Sequence, residues 1–290
     1  YLYKYILYKK FLRFINLVYF NIMRIISILL KHLLLQLDSW AYHNWNNQPY
    51  TKKPILDRNK YFELGKSAAL LENPEVIKFE NSTGYRVDTQ WFDGLALRTQ
   101  VCKKKNQLNY AHGRVLYSAL REYISKQNLG LKNILILETG TARGFSSLCM
   151  AKALDDSNTP GSILTFDVLP HNKKMYWNVF VDHEQGPTTR QELLEPWKNL
   201  VDDYIIFFQG YSRVQLPKIG LQRINFAFLD GAHTYKDVLF EFQIIKDSQK
   251  DGDIIIFDDY NYQLFPGIVQ AVDEICNKHG YNKKIINSLN

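Results

Sequence analysis

From Asn133 onward the chain alternates short apolar runs with stretches of helical periodicity. Five runs read as strands, over residues 134–137, 162–166, 204–209, 224–229 and 253–257. Between them apolar residues recur at helical spacing over 146–154, 189–200, 235–247 and 267–279. Strands that are apolar along their whole length need cover on both faces, and regular alternation with helices makes the sheet parallel. The pattern therefore predicts an α/β fold: a Rossmann-like, doubly wound, mainly parallel sheet with helices on both faces. Residues 283–289 read as a sixth strand. Upstream, 113–124 has apolar positions at helical spacing and leads into the first strand. Residues 55–125 mix short helical patterns with turn clusters such as Glu80-Asn81-Ser82-Thr83-Gly84, and 43–54 is polar, Asn-rich and ends in proline, as a linker does.

The first 37 residues follow a different rule. Residues 5–35 are strongly apolar, but the longest uncharged stretch, Phe14 to Met23, is too short for the ~20 residues that a bilayer span needs. Lys9, Lys10, Arg13, Asn16, Asn21, Arg24, Ser27 and Lys31 fall on one helical face, opposite Phe11, Ile15, Val18, Ile22, Ile26, Leu29 and Leu33. A basic amphipathic helix of this kind reads as a membrane-surface element. The same stripe could instead pack on the domain or on a second subunit, making a homo-oligomer. A third reading makes the segment foreign to the native protein, since the chain begins at Tyr1 and its first methionine is Met23. No small-residue cleavage site follows the apolar run, which argues against a signal peptide. Three regions result: 1–37, a basic amphipathic segment; 38–110, a cap or substrate region; and 111–290, the sheet-bearing domain.

Composition sharpens this division. The net charge of +7 comes almost wholly from the N-terminal segment, which has six bases and no acid before Asp38; the remainder carries thirty bases against 29 acids. The body is close to neutral, so no nucleic-acid partner is expected. Apolar residues make up 46% of the chain, enough for a packed core. Cys102, Cys149 and Cys276 are far apart and in no metal or redox spacing, as in a reduced, cytoplasmic protein that could be peripheral at a membrane.

Candidate chemistry gathers at the strand ends, where parallel α/β sheets bind their ligands. After the first strand comes Glu138-Thr139-Gly140-Thr141-Ala142-Arg143-Gly144-Phe145-Ser146-Ser147, a tight turn feeding a helix N-terminus. Free helix N–H groups and small residues there let a nucleotide-type cofactor approach the backbone. Ala142 stands where the second glycine of a dinucleotide loop would be, which disfavours a nicotinamide cofactor. Asp167, after the second strand, can accept both ribose hydroxyls of a nucleoside. Gly210, Tyr211 and Ser212 follow the third strand and could wall an adenine. Asp230 after the fourth strand, with Asp258 and Asp259 after the fifth, would repel one another unless a positive charge sits among them, and a hard cation such as Mg²⁺ would supply it. His233, three residues beyond Asp230, can take a proton from a substrate hydroxyl. Tyr235 and Tyr260 could line a substrate pocket.

The segments ETGTARGFSS, FDVLP, FLDGAHTYKDV, and DGDIIIFDDY followed by PGIVQAVDEI together resemble the class I S-adenosylmethionine (SAM) methyltransferases. Within them they are most similar to the metal-dependent O-methyltransferases of the macrocin and mycinamicin sugar type. The likeness covers roughly residues 110–290. It implies SAM as cofactor, held by Glu138, Gly140, Gly144 and Ser146, with the ribose on Asp167; Thr141, Gly210 and Ser212 are further cofactor-binding candidates from the strand ends themselves. It implies Mg²⁺ on Asp230, Asp258 and Asp259, with His233 as the base. It further implies a small-molecule acceptor hydroxyl, as on a sugar or polyol. Enzymes of this class close their sheet with two more strands, the last antiparallel; only one candidate follows here, so the chain is a fragment or the edge is simplified. Two rivals are a metal-free methyltransferase acting on another nucleophile and a non-catalytic SAM-binding protein at a membrane surface. The acceptor would be set by residues 40–130 and by the 171–190 loop.

Overall fold

A computed structural model describes residues 18–20, 22–27, 29, 30, 33, 54–104, 107–127 and 133–288. Residue 289 and nearly all of the expected 43–54 linker lie outside them. Five strands form one sheet: β1 Ile134–Thr139, β2 Gly161–Asp167, β3 Ile205–Gln209, β4 Phe226–Leu229 and β5 Ile254–Phe257. All pairings are parallel, in the order β3-β2-β1-β4-β5. The helices of the body are α1 Arg58–Ala69, α2 Pro74–Thr83, α3 Thr89–Thr99, α4 His112–Gln127, α5 Phe145–Asp156, α6 Val181–Gln185, α7 Arg190–Leu193, α8 Lys198–Tyr204, α9 Ser212–Gln215, α10 Tyr235–Lys246 and α11 Pro266–His279.

The apolar runs work as read. Ile134, Ile136, Ile163, Phe226 and Phe228 point to one face and join Leu148 of α5 and Leu120 of α4 in the main core. Their chain neighbours Leu137, Leu164, Ala227 and Leu229 point to the other face, toward Ile245 of α10. Alternation with a period of two therefore buries both faces, and each fully buried side chain of this size stabilises the fold by about 1.5–3 kcal/mol. Helix α11 packs on α10 through Ile268, Val272 and Ile275 against Val238 and Phe242. The upstream helices belong to the same main core, through Tyr61 of α1, Phe79 of α2 and Phe92 and Leu95 of α3.

Two expectations change. The helix expected over 189–200 is broken: α7 ends at Leu193, a 3₁₀ turn covers Glu195–Trp197, and α8 begins at Lys198. Pro196 causes the break, because it lacks an N–H and its ring clashes with the preceding turn. The start is well set, since Thr189 and Glu192 form a capping box. The sixth strand is also absent: residues 281–288 carry no strand. Their polar groups bond to helices instead of to a ladder. The Asn287 N–H donates to Glu75 of α2 at 2.7 Å, and the Lys283 ammonium donates to Asp273 of α11 at 2.5 Å. Among the described residues, β3 and β5 are the sheet's two edges.

Candidate active site

Strand β1 lies at the centre of the sheet; the chain runs outward from it through β2 to β3 and then crosses back to β4 on its other side, so the winding direction reverses at β1. That reversal opens a crevice at the carboxyl ends of the strands. The turn after β1 lies there, and its backbone is unusual. Gly140 has φ 91° and Gly144 has φ 87°, both in the left-handed region that favours glycine. A Cβ on Gly140 would lie 2.0 Å from the Asp230 carbonyl oxygen, so the end of β4 crosses directly over the turn. Ala142 is left-handed too, with φ 45°. It is held from both sides: its N–H donates to Asp167 at 2.5 Å, and its carbonyl accepts from Arg190 Nε at 2.8 Å. A non-glycine residue stays in that region only where its surroundings over-determine it.

Several side chains predicted to touch a cofactor are used inside the protein. Glu138 is fully buried and accepts hydrogen bonds from Ser146, Ser147 and Thr165. Burial pushes its carboxyl above the usual range, against the pull of those three hydroxyls. Thr141 pairs with Thr165 through their hydroxyls, 2.5 Å apart. The side chains of Glu138, Thr141 and Ser146 thus clamp the turn to β2 and α5 rather than lining open space. What the turn presents to a ligand is its backbone and the first N–H groups of α5.

Asp167 ends β2 and is nearly buried. Its two oxygens take the N–H groups of Ala142 and of Leu169, the latter at 2.7 Å. Burial raises its pKa, and the Arg190 guanidinium 3.8 Å away opposes this. Gly210 follows β3, and its N–H donates to the Asp167 carbonyl at 2.7 Å. Ser212 begins α9, near enough to Glu241 for its side chain to favour the ionised carboxylate. Glu241, on α10, also accepts from Thr139 Oγ1 at 3.0 Å and is 1% exposed. Burial raises its pKa to about 7.

The second half of the site is acidic. Asp230, His233 and Asp259 could each turn one donor atom to a common ion, since these atoms lie within 4.8 Å of one another. His233 Nε2 stands 3.3 Å from Asp230 and 2.9 Å from Asp259. Burial alone would lower its pKa, but the two carboxylates overcome this and lift it to about 10. Asp230 is raised to about 7, first by burial and next by the Asp258 charge. Asp259 itself is left-handed, with φ 53°. Asp258, predicted as a third ligand, is not one of the three grouped residues; it lies near enough to His112 for the two to shift each other's pKa. The tyrosines turn elsewhere: Tyr235 donates to Glu274 and Tyr260 to Asp273, both on α11 and both at 2.7 Å.

Sequence reasoning missed three parts of this site. His112, at the start of α4, lies between the rings of Phe145 and Phe228, and burial lowers its pKa. Lys104 is the cation that acts on both His112 and Asp259. The 171–190 segment is docked on the cofactor turn. Arg143 Nε donates to the Trp177 carbonyl at 2.6 Å, Trp177 is fully buried, and Arg190 reaches Ala142. The two arginines within nine residues of Glu138 or at the end of that loop were the available signal.

Residues 137–260 match the family model described as a methyltransferase domain. Comparison with curated protein sequences gave no match. Among solved structures, the O-methyltransferase NovP is similar at 15% identity, covering 80% of this chain and 96% of its own, with a TM-score of 0.47. The calicheamicin methyltransferase CalS11 is similar at 15% identity over 82% of this chain and 91% of its own, with a TM-score of 0.45. A methyltransferase of Podospora anserina, PaMTH1, solved with S-adenosylhomocysteine, shares 13% identity over 78% of this chain and 88% of its own, with a TM-score of 0.39. The stretch from β1 to the paired acids, residues 137–260, is therefore similar to a methyltransferase domain, and it lies in the Rossmann-like parallel sheet that the sequence pattern predicts.

Proposed function

We propose that this protein transfers a methyl group from SAM to a hydroxyl of a small molecule such as a sugar or polyol. The observation that carries the reading is the contact between Gly140 and the Asp230 carbonyl, which sets the cofactor turn against the acidic cluster. A methyl donor on the turn would then stand beside groups that can orient an oxygen and handle its proton. In the transfer the acceptor oxygen forms a bond to the methyl carbon as the carbon–sulfur bond breaks. The bonding pair stays on sulfur, giving S-adenosylhomocysteine, and the hydroxyl proton leaves to a base. The enzyme's contribution is to hold the oxygen in line at near-attack distance and to keep that base ready.

The residues present suit a hard divalent cation, because Asp230 and Asp259 offer carboxylate oxygens beside each other and Asp258 is the next residue. When bound, Mg²⁺ would supply the positive charge that the carboxylates now draw from His233 and would polarise the acceptor hydroxyl. His233 Nε2, between the two acids, would then hold the transferred proton. One observation favours a metal-free variant: the His233 imidazolium already compensates both carboxylates. Asp230, with its pKa near neutrality, would be the proton acceptor in that case.

Turnover of a hydroxyl panel should stop in His233→Ala and in Asp258→Asn while calorimetry still detects SAM binding. Loss of activity in EDTA that Mg²⁺ restores supports the cation; full activity in EDTA supports the variant without it. Unchanged turnover in both substituted proteins would remove the mechanism.

A further inference from the structure

Among the described residues, those that precede the body are exposed rather than packed. Residues 18–20, 22–27, 29, 30 and 33 are helical and every one is exposed. Large apolar side chains that a core would normally take are open to solvent: Phe20 is 67% exposed, Leu29 62% and Leu33 52%. None of the described core clusters includes them. The exposure of these residues does not favour packing on the protein's own domain.

Most of them lie on one side. At ~3.6 residues per turn, Val18, Ile22, Ile25, Ile26, Leu29 and Leu33 fall within roughly 100° of one another, Tyr19, Met23 and Leu30 flank that arc, and Arg24 and Ser27 lie on the opposite side together with Phe20. Lys31, seven positions after Arg24, shares its helical phase in the sequence. No helix among the described residues is long and apolar enough to cross a membrane. A helix with this pattern has one favourable place in water, the boundary between a polar and an apolar phase.

Charge selects the occupant. Six bases and no acid precede Asp38, while the rest of the chain is nearly balanced. Two copies paired through this segment would set like charges against each other, whereas an anionic lipid surface attracts every one of them. We propose that the helical residues between 18 and 33 dock the protein on the surface of an anionic bilayer, with the Ile22–Ile26–Leu29 side in the acyl boundary and the Arg24 side toward the headgroups. This docking does not depend on the methyl-transfer reading.

The test is co-sedimentation of the full chain with vesicles of phosphatidylcholine alone and of phosphatidylcholine mixed with phosphatidylglycerol. The protein should bind the mixed vesicles and not the neutral ones, and added salt should release it. Arg24→Glu should weaken binding roughly tenfold or more, since each base near such a surface contributes about fivefold. Ile26→Asp should abolish binding while the thermal melt of the body stays unchanged. Equal binding to neutral vesicles, no binding to either, or an Arg24→Glu protein that binds like the parent would each overturn the proposal. Vesicle-independent assembly that Ile26→Asp dissolves would assign the face to a second copy and overturn it as well.

Discussion

Replacing Gly140 with alanine tests whether the cofactor turn and the acidic cluster share one backbone contact. The added Cβ would lie 2.0 Å from the Asp230 carbonyl oxygen and 2.6 Å from its carbonyl carbon. Both are main-chain atoms, so no side chain can swing away, and either strand end must shift by about 1 Å or more. The left-handed φ of 91° adds roughly 1–2 kcal/mol for any residue with a Cβ. Overpacking of this kind adds about 1–3 kcal/mol, so the total is about 2–5 kcal/mol. Gly84 is the control. Its φ is similar, at 78°, but a Cβ there meets nothing within 4 Å, so Gly84→Ala should cost only the conformational part. Thermal melting should show Gly84→Ala lower than the parent by a few degrees and Gly140→Ala by roughly 5–15 °C. Calorimetric SAM titration should be unchanged for Gly84→Ala and weakened at least tenfold for Gly140→Ala. If the two variants melt together and bind SAM alike, the turn does not depend on the end of β4 and the coupling is refuted.

Other expectations follow from the buried charges. Glu241 has its pKa raised from 4.5 to about 7, so the folded state favours its neutral form; the stability it contributes is complete below pH 4.5 and is lost as the pH rises through about 7. Glu241→Gln keeps an acceptor for Thr139, and its melting temperature relative to the parent should rise between pH ~5 and ~8, by an amount equivalent to ~3 kcal/mol at most; a constant gap would count against the buried ionisation. Arg190→Met leaves the Ala142 carbonyl without its donor and Asp167 without its cation. SAM affinity should fall in that variant, and its loss on acidification should begin at a higher pH than in the parent, because Asp167 would protonate sooner; identical pH profiles would exclude the role.

The strands were legible because a buried parallel strand needs an unbroken apolar run, and from Asn133 onward such runs alternate with helical periodicity. The acids Asp167, Asp230, Asp258 and Asp259 were legible for a related reason: each ends a strand or lies within two residues of its end, so topology alone carries it to one rim. Direction was not legible. An acid at the end of an apolar run looks the same in sequence whether it faces a ligand or, as Glu138 in β1 does, three hydroxyls of its own fold. His112 and Lys104 were hidden because they arrive at the rim from before the sheet begins, in no motif and at no telling spacing. The sixth strand misled because Ile285 and Ile286 give a short apolar pair, while Lys283 and Asn287 beside them find charged partners on α11 and α2.

The shared main core limits how this protein could be re-engineered. Tyr61, Phe79, Phe92 and Leu95 are cemented into the same apolar mass as Leu148 and Ile134, and the Tyr61 hydroxyl is tied to Asn178 in the 171–190 segment at 2.9 Å. Exchanging residues 58–104 for those of another enzyme, in order to graft a new acceptor preference, would strip one face of the sheet's outer layer. The smallest unit that can be transplanted intact therefore begins ahead of α1, and selectivity would have to be redesigned by point changes on a foundation left in place.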